Sequence, residues 1–527
     1  MANKSLFKSY VGRLLPRADS INEAGGLAYA FTPRHALAQF AATGCLNGTF
    51  YADESAQLAT VLALASQVEP SFVAKTAAWA RSQAHQKDLP ALLLATLSVR
   101  DPAQFAKAFP RVVDSAKILR NLVQIIRSGV VGRKSLGSLP KRLVREWLAS
   151  QGDEALFRAS IGNDPSLADV VKMVHPRPAT PARAALYAYL VGRDHDAQAL
   201  PALVRAYEAF KRGDTRELPD VPHELLTALP LSAPDWKDIA RKASWQALRM
   251  NLNTFARHDV FDDPKVTEFI AQRLRDPKLI LRARVRPYQL LVAYTIAGDK
   301  VPAMVRNALQ DALEISLRNV PSIPGKVWVC PDASGSMHSP ITGYRKGSST
   351  AVRCVDVAAL ITAAILRRNP DAGVIPFTEQ VVKVDLNPRD TVLTNAQKMA
   401  AIPPGGTNCS APLALLNADR AHADLVVFVS DNQSWVDSLA PRLANPGASL
   451  PPPTETLRQW AILKQRCPTA RLVCIDLQPY GCSQAQERED ILNVGGFGDK
   501  VFDLLARFAD NSLSPEHWIG EIEKTEL

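Results

Sequence analysis

Residues 326–337 decide the fold of this chain, and they read Lys-Val-Trp-Val-Cys-Pro-Asp-Ala-Ser-Gly-Ser-Met. Val327 to Cys330 is a short apolar run, typical of a buried strand. Asp332, Ser334 and Ser336 follow at alternate positions of one turn. Mg²⁺ prefers about six oxygen ligands, and carboxylate and hydroxyl groups spaced in this way can converge on one point. The stretch therefore predicts a strand with a divalent-metal site at its carboxyl end.

Further apolar runs of strand length follow this stretch, and helical segments such as Val352 to Arg368 separate them. The runs are Gly373 to Phe377, Leu425 to Ser430 and Leu472 to Leu477. Alternating buried strands and helices predict a doubly wound, Rossmann-like α/β domain with its ligand site at the carboxyl ends of the strands. The sequence changes character at Pro321, so we assign this domain to residues 324–527.

Two later loops extend the predicted metal site. Thr407 follows two glycines, and Asp431 follows the run that ends at Ser430. Together with the first loop they give the order of metal ligands in a von Willebrand factor A (VWA) domain with a metal-ion-dependent adhesion site. The first loop alone also fits a turn that caps a helix. The three loops in order favour Mg²⁺ or another divalent cation, held by Asp332, Ser334, Ser336, Thr407 and Asp431.

The predicted site is suited to binding rather than catalysis. It offers two carboxylates and three hydroxyls around one ion, whereas two-metal nucleases need several carboxylates around a metal pair. No catalytic base stands beside it, since His338 is expected to be exposed on the loop. We therefore expect that the protein is not an enzyme.

Residues 20–318 have a different pattern. Ala and Leu recur at i, i+3 and i+4 in segments such as Ala240 to Asn251, Pro or Gly separates many of the segments, and hardly any stretch alternates with period two. Short helices of this kind cannot bury their apolar faces alone and must stack on their neighbours. We predict an all-α, HEAT-like helical-repeat domain over residues 1–323.

The basic excess of the chain lies in this helical part. Residues 1–320 hold 43 Lys and Arg against 30 Asp and Glu, a net charge of +13, while the remainder carries −3. A polyanionic partner is the simplest explanation, and solubility alone is the alternative.

Cysteine use and hydropathy point to the cytoplasm. The seven cysteines include no Cys-x-x-Cys pair and fit reduced thiols better than a disulfide framework or a zinc site. The sequence has no apolar run of transmembrane length and no apolar region of a signal peptide. We expect a soluble, cytoplasmic protein that does not bind a membrane.

Motifs along most of the chain resemble the Ro autoantigen family, which joins a TROVE module, a ring of helical repeats, to a VWA domain. The similar segments are Asn22 to Gly26, Gly48 to Tyr51, Asp169 to Pro176, Ala283 to Tyr288, Ile402 to Ser410 and Val429 to Asn432. The resemblance implies a bacterial ribonucleoprotein that binds small noncoding Y RNAs on the outer face of the ring. It also implies that single-stranded ends of misfolded RNAs enter a basic hole, and that a Y RNA tethers an exoribonuclease in RNA quality control or degradation. We expect the protein itself to be monomeric.

Basic residues between 107 and 145 are the first candidates for RNA contacts, because Asp114 is the one acid among ten basic residues there. Within this region we select Arg133, Lys134, Lys141 and Arg142. A second basic cluster includes Arg284 and Arg286. Both clusters also fit solvated helix faces.

The family resemblance adds three residues to the candidate RNA surface: Arg158, Lys172 and His175. The next matched basic position of the family falls near Gly162, where this chain has no basic side chain. His175 also fits a helix cap or a packed core residue. The rival to RNA binding is a metal-dependent VWA adaptor that binds proteins, and the positive charge of the helical part argues against it.

Overall fold

The computed structural model describes residues 15–43, 46–283, 285, 287–317, 320–344, 352–438, 451–478, 480–497, 500–513 and 517–527. The chain forms two compact units. One contains the described residues up to 67, residues 287–295 and most of residues 313–524. The other contains residues 68–285, 296–312 and 525–527. The boundary predicted between residues 323 and 324 stays a prediction, because a compact unit can include segments from both sides of a sequence boundary.

Helices dominate the first three fifths of the chain. They are α1 Pro33–Thr43, α2 Glu54–Gln67, α3 Pro70–Ser82, α4 Asp88–Arg100, α5 Pro102–Val112, α6 Ala116–Arg127, α7 Ser138–Ser150, α8 Asp153–Arg158, α9 Leu167–Val174, α10 Pro181–Leu190, α11 Ala202–Arg212, α12 His223–Leu226, α13 Ala233–Lys242, α14 Trp245–Met250, α15 Leu252–Arg257, α16 Pro264–Leu274, α17 Pro277–Ala283, α18 Pro287–Ile296 and α19 Ala303–Ser316. Short helices in succession agree with the predicted all-α pattern.

Capping side chains explain why many of these helices start where they do. Asp101 accepts hydrogen bonds from the backbone N–H groups of Ala103 and Gln104, and Pro102 follows it as the first helical residue. Proline suits that position because its missing N–H would have no partner inside the helix. The helix predicted over Ala240 to Asn251 is wrong in this respect, because Ser244 caps a new helix there and α13 and α14 are separate.

A five-stranded parallel sheet forms the core of the later part, in the order β4-β3-β5-β6-β8. The strands of the structure are β1 Ser20–Ile21, β2 Leu27–Ala30, β3 Val327–Pro331, β4 Gly373–Val374, β5 Leu425–Ser430, β6 Arg471–Asp476, β7 Cys482–Ser483 and β8 Ile491–Gly495. The later helices are α20 Cys354–Arg368, α21 Val392–Ala400, α22 Ala411–Ala418, α23 Glu455–Arg466, α24 Lys500–Ala509 and α25 His517–Glu523. A helical part followed by this sheet confirms the predicted fold class.

The order of the strands determines where a ligand site can form. β3 pairs with β4 on one side and β5 on the other, so the chain changes winding direction between β3 and β5. In doubly wound sheets, ligands bind beyond the carboxyl ends of the strands at such a switch point. The loops after β3 and β5 carry Asp332 and Asp431, and the fold therefore brings the two carboxylates to one edge.

The N-terminal segment departs from the all-helical prediction, because it contains two short strands. β1 pairs with β2, and β2 pairs antiparallel with β7, where Ala30 lies opposite Cys482. Tyr29 of β2 is fully buried in the same hydrophobic cluster as Phe428 and Trp460. Both short strands are therefore part of the unit that contains the parallel sheet.

The cysteines within the described residues agree with the expectation of thiols. Cys330, Cys354, Cys409, Cys467, Cys474 and Cys482 are all free and buried, whereas Cys45 lies outside the described residues. No helix in the described part of the chain has both the length and the apolar character that a membrane span requires.

Candidate metal centre and cationic surface

Backbone hydrogen bonds hold the loop after β3 in the shape of a turn. Asp332 donates its N–H to Val429 O at 3.0 Å, which fixes the loop against β5. The Asp332 carboxylate accepts the N–H of Ser334 at 2.8 Å, so the turn folds back on its own side chain. The hydroxyl oxygens of Ser334 and Ser336 lie 3.4 Å apart.

The second and third loops are attached to the first in the same way. Gly335 donates its N–H to Gly405 O at 2.9 Å, next to the loop that holds Thr407. The carbonyl of Thr407 in turn accepts the N–H of Trp435 at 3.1 Å, just beyond Asp431. The structure thus brings the three loops that carry the predicted ligands to one edge of the sheet.

Both carboxylates of the site are buried, and they differ in how fully they are hydrogen-bonded. Asp332 accepts the hydroxyl of Ser430 at 2.6 Å, whereas Asp431 Oδ2 is buried without a hydrogen-bond partner. Burial raises the pKa of Asp332. Burial and then the negative charge of Asp332 raise the pKa of Asp431 to about 7, although the nearby Ser336 side chain lowers it. Two like charges in a buried site are unfavourable without a cation.

This donor set fits a hard divalent cation. Mg²⁺ takes oxygen ligands, and a bound ion would compensate both carboxylates and use the unpartnered oxygen of Asp431. Within the described ranges, no group of three or more His, Cys, Asp or Glu is arranged to hold a metal ion. A cation at this edge would therefore depend on the hydroxyl groups of the site in addition to the two carboxylates.

Tyr51 is a residue of this site that the sequence reasoning missed. Burial and then the charge of Asp431 raise the pKa of the Tyr51 hydroxyl to about 12, although the nearby Ser336 side chain lowers it. The segment before it is attached to the same region, since Gly48 forms an antiparallel bridge with Tyr344. A tyrosine 285 residues before the serine it contacts leaves no local signal in the sequence.

The expectation for His338 was wrong. The side chain is partly buried, and the Arg353 guanidinium lies 2.9 Å from His338 Nδ1. Burial and then the positive charge of Arg353 lower the pKa of His338, which favours the neutral ring. His338 is therefore packed against its own loop region.

A cationic surface forms in the helical unit where α6, α7 and α9 meet. Arg127 at the end of α6 donates to the sulfur of Met173, and Arg145 of α7 donates to the carbonyl of Val174. Both contacts lie in the last turn of α9, which also carries the exposed side chain of Lys172. We call Arg127, Arg145, Lys172 and His175 the α9 cationic surface.

His175 is the C-cap of α9 and is exposed. Its backbone is left-handed, with φ of 49°, and its N–H donates to Val171 O at 2.9 Å. The capping alternative is therefore correct, and the alternative of a packed core residue is wrong. The buried face of α9 is formed instead by Leu167, Val170, Val171 and Val174. The His175 imidazole is left facing solvent beside the cations of the neighbouring helices.

The other predicted RNA contacts differ in whether their side chains are free to bind RNA or already have partners in the protein. The Arg133 guanidinium donates to the carbonyls of Ser98, Ser135 and Leu136, so it holds a loop together. Arg158 donates to Asp220 at 2.9 Å and forms an ion pair with Glu154.

Three further candidates lie on or near α7. Arg142 is exposed and lies 3.7 Å from Glu146. Lys134 and Lys141 show no ion pair in the described part of the chain. Arg284 and Arg286 lie outside the described residues.

Comparisons with known proteins extend over most of the chain. Residues 326–509 match the family model described as the Ro60 vWA domain. The chain is 26% identical over 533 aligned residues to RNA-binding protein RO60 of Deinococcus radiodurans, covering 93% of this chain and 94% of that protein. It is 22% identical over 189 residues to RNA-binding protein RO60 of Caenorhabditis elegans, covering 34% of this chain and 28% of that protein.

A solved structure shows the same fold. The crystal structure of the Deinococcus radiodurans RO (RSR) protein matches this chain with a TM-score of 0.63 and 21% identity, covering 92% of this chain and all of that chain. The likeness includes both the helical part and the parallel sheet.

Proposed function

We propose that this chain, which is similar to Ro proteins over most of its length and matches the Ro60 vWA domain model at residues 326–509, is an RNA-binding scaffold without a catalytic reaction of its own. The two relatives named above are both called RNA-binding proteins. The helical part of this chain carries the positive charge that such a role requires.

The α9 cationic surface is the observation that supports this proposal most directly. It gathers side chains from three helices around an exposed histidine. Lysine and arginine bind RNA through phosphates, and an imidazole can donate to a phosphate or stack on an unpaired base. Aromatic residues make up 7% of the chain, so recognition through RNA shape and phosphates fits better than stacking of many bases.

The family resemblance gives the proposal its finer form. A Y-like small RNA would bind on the outer face of the helical repeats, and single-stranded ends of misfolded RNAs would enter a basic hole. An exoribonuclease would act with the protein through the RNA, in RNA quality control or degradation. We assign two of the exposed predicted contacts, Lys172 and His175, to the structured RNA.

The metal centre is proposed as a binding device within this scaffold. Asp332, Ser334, Ser336, Thr407 and Asp431 would hold Mg²⁺. When bound, the ion offers a positive centre for a water molecule or for the carboxylate of a partner. The buried pair of carboxylates also supports a second candidate function, a protein-binding adaptor that works without RNA.

RNA affinity of the full-length chain tests the proposal. We expect Lys172→Ala with His175→Ala to weaken binding of a small structured RNA about tenfold or more, since two exposed contacts are lost. Lys265→Ala, which removes an exposed lysine from the start of α16, is the matched control and should bind as the wild type does.

The dependence on salt gives a second readout of the same experiment. About five phosphate contacts predict that log K falls with log[salt], at a slope of roughly −3.5 for contacts to unpaired strands and roughly −4.5 for contacts to a duplex. If the wild type and the double variant bind equally, the α9 cationic surface is not the RNA site. If neither binds RNA at low salt, the adaptor becomes the better account.

A further inference from the structure

Arg120 is a cation without a counterion in the middle of α6. Its side chain is partly buried, and its Nε is buried without a hydrogen-bond partner. No ion pair of Arg120 occurs among the residues that the structure describes. Burial lowers the pKa of the guanidinium, and no charged group contributes to that shift. A desolvated positive charge without compensation is unfavourable.

Two other partly buried arginines of the same unit, Arg81 and Arg183, have acidic partners. Arg81 lies 2.7 Å from Asp114, and Arg183 donates to Asp153 and to the carbonyl of Leu148. At these two positions, an acid compensates the charge of the partly buried guanidinium. Arg120 differs from these two because no acid lies beside it among the described residues, so an anion from solvent would compensate its charge. Arg273 of the same unit also has a buried Nε without a hydrogen-bond partner.

Gly162 provides the room for this guanidinium. A Cβ added at Gly162 would lie within 3.0 Å of three guanidinium atoms of Arg120, so any side chain there would displace the group. The backbone of Gly162 also has φ of +98°, which L side chains rarely adopt. The glycine, which is exposed, thus leaves the planar end of Arg120 against bare backbone.

The position of Arg120 connects it to the α9 cationic surface. Arg120 and Arg127 are seven residues apart on α6, so they lie on the same face about 10 Å apart along the helix axis. Arg127 contacts Met173 near the end of α9, and Arg120 contacts Gly162 shortly before its start. The two arginines therefore follow the length of α9.

We propose that Arg120 and the backbone at Gly162 form a phosphate-binding site that extends the α9 cationic surface. A guanidinium presents parallel N–H donors, which match two oxygens of one phosphate. The ligand class is a phosphodiester of the bound RNA, so the assignment rests on the proposed function. Arg120 binds the phosphate directly, and Gly162 keeps the approach open.

The test compares binding and stability in full-length Arg120→Met. We expect affinity for a small hairpin RNA to fall about tenfold, which is the order for one charge-assisted contact. The salt slope should become shallower by about 0.7. The thermal midpoint should stay equal or rise, because an uncompensated charge is removed. Loss of stability with unchanged RNA affinity would mean that Arg120 is structural, and would overturn the proposal.

Two further variants separate charge from geometry. Arg193→Met removes an exposed arginine of the same unit and should leave affinity unchanged. Arg120→Lys retains the charge but not the planar group, so it should bind more weakly than the wild type. If Arg120→Lys and Arg120→Met both bind RNA as the wild type does, Arg120 makes no phosphate contact.

Inorganic phosphate distinguishes this proposal from the proposed function. Phosphate, against chloride at equal ionic strength, should raise the thermal midpoint of the wild type more than that of Arg120→Met. If the wild type binds no RNA and phosphate still has this selective effect, the anion site stands and the RNA function fails. If the wild type binds RNA and phosphate acts equally on both proteins, with equal RNA affinity, the RNA function stands and the Arg120 site fails.

Discussion

Replacing Asp431 with asparagine tests whether the two buried carboxylates exist to hold a cation. Asp431 is 1% exposed, and its Oδ2 has no hydrogen-bond partner within the described part of the chain. Burial and the charge of Asp332 raise the pKa of Asp431 from an ordinary value of 3.8 to about 7. Asparagine removes the charge and nearly preserves the shape.

The pKa gives the size of the expected effect without metal. A rise from 3.8 to about 7 corresponds to roughly 4 kcal/mol, at about 1.4 kcal/mol per pH unit. Because the folded pKa is raised, wild-type stability is lost as the pH rises through this range. In chelator at pH 8 we therefore expect Asp431→Asn to be more stable than the wild type, by at most roughly 4 kcal/mol.

Mg²⁺ should reverse much of this difference. Wild type at a hundredfold excess of Mg²⁺ over its Kd should gain about 2.7 kcal/mol, and Asp431→Asn should gain little. Urea unfolding with chelator and with Mg²⁺ measures both gains. Asp437→Asn is the matched control, because Asp437 is partly buried and its carboxylate accepts hydrogen bonds from Ser434 and Thr456. Equal Mg²⁺ gains in wild type and Asp431→Asn, or no gain in wild type, would refute the metal site.

Three other outcomes are expected. Tyr51→Phe removes the hydroxyl beside Ser336 and should weaken Mg²⁺ affinity about tenfold, as measured by titration calorimetry. The circular dichroism spectrum should stay unchanged, and an unchanged Mg²⁺ affinity would place Tyr51 outside the site. Burial raises the pKa of Glu487 to about 8, so stability should fall as the pH rises from about 5 to about 8, and Glu487→Gln should flatten this part of the urea-unfolding profile. Arg133→Ala breaks three carbonyl contacts and should cost about 1–3 kcal/mol in unfolding free energy while RNA affinity is retained; lost affinity in a folded variant would return Arg133 to the RNA surface.

The metal loops could be predicted from the sequence because their signal is local. The first loop is marked by an apolar run and by oxygen-bearing side chains at alternate positions, and Asp431 directly follows another strand. These signals suffice to place two carboxylates at one edge of a parallel sheet. The register of β3 against β5, with Pro331 opposite Val429, then follows from the fold. Tyr51 could not be found in this way, because its contact with Ser336 depends on the path of a distant segment.

The N-terminal strands were missed for a similar reason. β2 is four residues long, and its partner β7 lies about 450 residues later, so neither shows a period-two pattern of useful length. The predicted helix from Ala240 to Asn251 failed because apolar spacing continues across Ser244, whose cap ends the regularity. Periodicity reports a buried face and does not report a side-chain cap.

Charge density located a basic region but could not tell which side chains are available. The Arg133 guanidinium already donates hydrogen bonds to backbone carbonyls, and Arg158 forms an ion pair with Asp220. His175 and Lys172 are exposed because α9 buries the opposite face. The sequence has no basic residue at position 162, yet the guanidinium of Arg120 on α6 lies against Gly162.

Sequencing the RNA that copurifies with the full-length chain from its own cells, at moderate salt, tests the central claim most directly. The account predicts a small structured RNA in near-stoichiometric amount, and its loss from the variant that combines Lys172→Ala and His175→Ala. A folded wild-type chain that carries no RNA, and binds none at low salt, would contradict the account.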